Sequence, residues 1–171
     1  MRAAGVILAV VAALALQTTL ARFVIRGTLA VDLVLVAVVY VALTSGPVTG
    51  LFSGALAGLV QDAMLSTSGV IGIGGLAKTT VGFLAGIVGT QFIVAQPFPR
   101  FVVFVAATVL HQVISIGLDV LLGLRQFGAP YAAVGGQALG NAVVGVVAFQ
   151  LVELLPGAME RRKAQRSRIR R

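Results

Sequence analysis

The sequence has no cysteine and no tryptophan, and only one histidine, two tyrosines and five acidic residues in 171. Without cysteine there is neither a disulfide nor a thiolate metal site. One histidine and five acids leave little from which to build a metal cage or a catalytic triad. No cofactor is expected, and the chain reads as non-enzymatic. Charge is scarce as well: 11% of residues are charged, against about 25% in a soluble domain. That is too little polar surface to coat a globule in water.

What is abundant is apolar. The chain is 58% hydrophobic, with a mean hydropathy of +1.05. The apolar runs are continuous, without the alternation of a barrel strand, so helices are the way to satisfy the backbone in lipid. A spanning helix needs about 20 mostly apolar residues. Six segments qualify: Ala4–Ala21, Thr28–Leu43, Val48–Leu65, Val70–Ala95, Phe101–Leu124 and Tyr131–Leu155. A count of five, with one weak segment discarded, is the alternative. Ser45-Gly46-Pro47 makes a tight turn, residues 66–69 close the third segment, and Pro97, Pro99 and Arg100 break the chain before the fifth. The expected fold is all-α: a polytopic membrane bundle of about six transmembrane helices, one domain over residues 1–160, with a basic tail at 161–171. The apolar start is followed by Gln17, Thr18 and Thr19 without a small-residue cleavage box, and is read as an uncleaved first helix.

The net charge of +8 is concentrated: seven of 13 basic residues lie between Arg161 and Arg171. No aromatics are interleaved there, and the run directly follows an apolar segment. It is read as a cytoplasmic flank against anionic lipid, with no nucleic-acid partner. With six spans both termini are then cytoplasmic, placing Arg2, Arg100 and the tail inside and Arg22, Arg26 and Arg125 outside.

Gly50, Gly54, Gly58 and Asp62 follow one another at intervals of four, on one face of a helix. Gly82 and Gly86 repeat the device in the fourth segment. Small residues at this spacing let two helix backbones approach closely. Such a face either packs internally or accepts a partner's helix; Gly50 and Gly54 suit the first, Gly82 and Gly86 the second. Intramembrane charges mark pairing or function. Asp32, Asp62, Lys78 and Asp119 all fall in the outer half of the six-span arrangement, with Lys78 deepest and Asp62 or Asp119 as its candidate counter-ion. His111, Ser115 and Asp119 share a face of the fifth segment and either hydrogen-bond between helices or relay protons. Gln137 and Asn141 in the sixth read as interhelical hydrogen-bonding groups. The string GIGIGGLAKTT lacks phosphate-loop spacing and lies in an apolar helix, so it is not one.

The stretch Val31–Gly89 carries an ordered set of features: Asp32 opening the second segment, Tyr40-x-Ala42-Leu43, the Gly46-Pro47 turn, the glycine-striped helix ending Gln61-Asp62, then Gly72-x-Gly74-Gly75-Leu76-x-Lys78-Thr79 and Gly82-Phe83-x-x-Gly86. It resembles the MreD family of bacterial rod-shape proteins. The resemblance implies a non-enzymatic subunit of the cytoplasmic (inner) membrane. Such a subunit binds MreC and acts with RodA, a class B penicillin-binding protein and, indirectly, MreB in lateral peptidoglycan synthesis. It also implies a fold similar to the S components of energy-coupling-factor transporters. A small-molecule-binding S component is therefore the rival function; a small secondary transporter is a third, opposed by the missing inverted repeat.

Overall fold

The computed structural model describes residues 3–23, 31–65, 70–91, 96–124 and 131–154. These form six helices and no strand: α1 (Ala3–Phe23), α2 (Leu33–Ser45), α3 (Pro47–Leu65), α4 (Ile73–Gln91), α5 (Pro97–Leu121) and α6 (Tyr131–Leu154). The basic tail and the loop arginines Arg26 and Arg125 lie outside the described residues.

The bundle is apolar outside and partly polar within. Leu8, Val11, Phe52, Leu56, Val113 and Tyr131 are all more than half exposed, whereas Asp32, Lys78, Arg100, Thr108, His111 and Asn141 are buried. Water would penalise both features; lipid reverses the first and makes pairing of the second obligatory.

Helix α2 is the hub. It touches each of the other five helices, and Val34, Leu35, Val38, Val39, Val41 and Ala42 are at most 1% exposed. Its side chains meet Val81 and Ala85 of α4, Phe104 and Ala107 of α5 and Ala142 and Phe149 of α6 in one core cluster. Tyr40 packs on Phe149 with ring centroids 4.5 Å apart, and Phe104 stands edge-on to Phe149 at 6.3 Å. The Phe104 ring fits because residue 145 is glycine; a Cβ there would lie 2.6 Å from it.

Helices α3 and α4 form the closest pair. A Cβ on Gly50 would strike the Gly82 carbonyl, one on Gly54 the Lys78 carbonyl, and one on Gly58 the Gly75 backbone. Gly82 meets Gly50 in return, and Gly86 abuts Pro47. Both glycine faces are therefore occupied within the chain. This corrects the assignment of Gly82 and Gly86 to a partner's helix: spacing identifies a backbone groove but not the helix that fills it.

Three helices are long and apolar enough to cross a membrane among the described residues: α4, α5 and α6. Helix α2 has 13 residues and begins at Leu33, not Thr28, so it is about 20 Å long, short of a hydrocarbon core of about 30 Å. The fourth helix is also shorter than its apolar run. Pro97 and Pro99 start α5 instead of breaking the chain before it, because a first turn has no use for the N–H that proline lacks. Arg100 is consequently a buried helical residue, not a loop charge.

Candidate functional site

The first four N–H groups of a helix have no partner within it. Helix α2 starts inside the bundle, so each of these donors needs a side-chain acceptor. Asn141 Oδ1 accepts from the Asp32 N–H at 2.8 Å. Gln17 Oε1, from α1, accepts from Leu33 N–H at 2.6 Å and Val34 N–H at 3.3 Å. Asp32 Oδ1 caps the helix by accepting from Leu35 N–H at 2.9 Å. The ordinary helical ladder takes over at Val36, whose N–H reaches the Asp32 carbonyl at 3.0 Å.

The other carboxylate oxygen, Asp32 Oδ2, lies 2.8 Å from Lys78 Nζ, with both side chains less than a tenth exposed. Lys78 Nζ is also 3.1 Å from His111 Nε2. An ammonium has only donors, so the imidazole accepts at Nε2. Asn141 Nδ2 donates to Thr108 Oγ1 at 3.1 Å, and that hydroxyl donates to the Phe104 carbonyl at 2.8 Å. One connected network thus joins α1, α2, α4, α5 and α6.

Residue counts put its members at one level. Ser45, Gln91 and Leu154 each lie 13 residues beyond Asp32, Lys78 and Asn141, and Pro97 lies 14 before His111. At 1.5 Å per residue the network sits about 20 Å from the common end of these helices.

Asp62 and Asp119 are elsewhere, which corrects the pairing expected for Lys78. Asp62 Oδ2 accepts from Gly72 N–H at 2.9 Å and Gly75 N–H at 3.2 Å, closing the start of α4. Asp119 lies two turns past His111 on α5. The acid chosen by Lys78 is decided by depth, and Asp32 is deep because α2 begins late. Gln137 accepts from Gln112 Nε2, joining α6 to α5.

A second ion pair lies near the common end of these helices. Arg100 Nη2 donates to Glu153 Oε1 at 2.6 Å, and the Arg100 guanidinium carbon stands 4.4 Å from the Phe149 ring centroid. Glu153, Gln17, Thr108 and Gln112 escape sequence reasoning. Glu153 carried a usable signal, being an acid inside the sixth apolar segment; the others are ordinary polar residues until their neighbours are known.

Chemically, the site offers fixed charge and fixed hydrogen bonds. The carboxylate, the ammonium and the imidazole Nε2 engage one another, and among the described residues no group of three histidine or acidic side chains gathers to hold a metal.

A family model described as rod shape-determining protein MreD matches residues 2–156. No curated protein matches the chain, and no solved structure does.

Proposed function

The chain belongs to the MreD family of rod shape-determining membrane proteins, and from that premise we propose that it is the subunit that binds MreC in the bacterial elongation complex. It works without chemistry of its own, holding MreC beside RodA and a class B penicillin-binding protein, with MreB engaged indirectly, so that peptidoglycan is inserted along the lateral wall. It resides in the cytoplasmic membrane with six passes and both termini inside, and the basic tail contacts anionic lipid or a cytoplasmic partner.

The family match over residues 2–156 carries this reading. The interior supports it: the charged groups Asp32, Lys78, Arg100 and Glu153 are all engaged in ion pairs between helices. A bundle fastened in this way keeps a fixed outer surface, and an exposed apolar surface suits recognition of another membrane helix by packing.

Purification of the tagged chain in mild detergent, followed by mass spectrometry, tests the reading. MreC is the expected companion. Recovery of a pair of ATPases with a coupling subunit, and no MreC, would assign the chain to a transporter instead.

A further inference from the structure

His111 is 7% exposed, and only one of its two ring nitrogens is engaged. Nε2 faces the Lys78 ammonium and must offer its lone pair. In the neutral ring the proton then sits on Nδ1, and that buried N–H has no acceptor among the described residues. One turn further along α5, the buried Ser115 hydroxyl is also without a partner. Another turn on, Asp119 lies on the same face, partly buried and two residues before the helix ends at Leu121. A polar face therefore leads from the network to the Leu121 end of α5.

An unpaired buried donor costs on the order of 1–3 kcal/mol, and two neighbouring ones mark a place for a shared ligand. The charges around it fix the class. Asp32 and Lys78 neutralise each other across α2 and α4, Asp62 is turned to the Gly72 and Gly75 amides, and α6 presents only the uncharged Gln137 and Asn141. Asp119 carries a charge on this face but lies two turns from His111, so a net charge on a ligand at Nδ1 has no counterpart beside it, and a protonated Nδ1 repels a cation. The ligand must accept from Nδ1–H and also meet a hydroxyl, which either gives or takes a hydrogen bond. Water fits all of these conditions.

We infer that His111 Nδ1 and Ser115 Oγ form a water-binding site at the edge of the buried network, reached from the Leu121 end of α5 along the His111–Ser115–Asp119 face. The network is thereby in contact with solvent on one side only, because α2, with its row of buried valines, closes the other.

The single histidine makes the test direct. The chain is labelled with ¹⁵N-histidine, placed in lipid nanodiscs and examined by NMR. The inference requires a neutral ring protonated at Nδ1, bare at Nε2, with a cross-peak between the Nδ1 proton and water. Ser115→Ala should lose that cross-peak while keeping the wild-type melting temperature. A ring protonated at Nε2 would overturn the inference. So would an Nδ1 proton that survives in D₂O as long as the amides of α2, or a cross-peak unaffected by Ser115→Ala. The first two outcomes are read on the unaltered protein, so they stand whatever the variant does.

Discussion

Lys78 on α4 and Asp32 at the start of α2 form a buried ion pair, Nζ to Oδ2 at 2.8 Å. Two charges taken out of water in this way are held in place by what they touch. Asp32 is also the cap of its helix, so the pair fixes both where α2 begins and how deep it sits. Helix α2 in turn contacts every other helix.

Breaking the pair should therefore destabilise the whole bundle. Lys78→Met leaves the Asp32 carboxylate buried without its cation, a change that costs about 3–5 kcal/mol in buried pairs. Adding Asp32→Asn removes the stranded charge and keeps a side chain able to cap α2. The double variant should be more stable than Lys78→Met alone. Denaturant unfolding in detergent, run as a double-mutant cycle, reads the coupling; simple additivity of the two losses would mean that the pair contributes nothing.

The glycine groove makes a contrasting prediction. A Cβ at residue 54 meets the Lys78 backbone, which has no freedom to move aside, whereas a Cβ at residue 117 meets nothing within 4 Å. Gly54→Ala should lower stability by about 1–3 kcal/mol, as overpacking does. Gly117→Ala should be neutral or stabilising by up to about 1 kcal/mol, since glycine is the poorer helix former. Thermal melting of the two variants side by side settles the matter, and equal melting temperatures would show that α3 and α4 are not in backbone contact.

The second ion pair should matter less. Glu153 is 31% exposed at its side chain while Arg100 is 4% exposed, so water softens the loss of either partner. Glu153→Gln keeps a hydrogen-bond acceptor beside Arg100 and removes only the charge. The expected loss is about 1 kcal/mol, within the range of a single hydrogen bond. The same unfolding assay should rank it below Lys78→Met.

Topology is tested at the ends. Fluorescent reporters that mature only in the cytoplasm should be bright at either terminus, because seven basic residues crowd the last eleven positions and six helices precede them. Deleting residues 161–171 should leave a folded protein in the membrane. A dark N-terminal fusion beside a bright C-terminal one would contradict an even number of passes.

Much of the site is legible in the sequence as a set of parts. Asp32, Lys78, His111 and Asn141 stand out because polar residues in apolar segments need a reason. The spacing of Gly50, Gly54 and Gly58 announces a close helix contact. What the sequence withholds is who meets whom. Periodicity gives the face of a helix and not its neighbour, so Asp62 and Asp119 suggest themselves for Lys78 while Asp32, at similar apparent depth, is passed over. The choice turns on the start of α2, which the run of apolar residues places at Thr28. The start at Leu33 is explained only when Gln17 and Asn141, distant in the chain, are found supplying acceptors to the N–H groups of Asp32, Leu33 and Val34 inside the bundle. Arg100 is misread for a related reason: a proline-flanked arginine has the composition of a loop, yet proline is at home in a first helical turn, and Glu153 draws the arginine inside.

The proposed function requires that this chain recognise MreC. The most direct measurement is binding of purified MreC, with its own membrane segment, to the purified subunit in lipid nanodiscs, titrated by fluorescence while helix content and melting are monitored on the same sample. Saturable binding by a subunit that melts cooperatively is the predicted result. A fully folded subunit that shows no binding at any MreC concentration would contradict the proposed function.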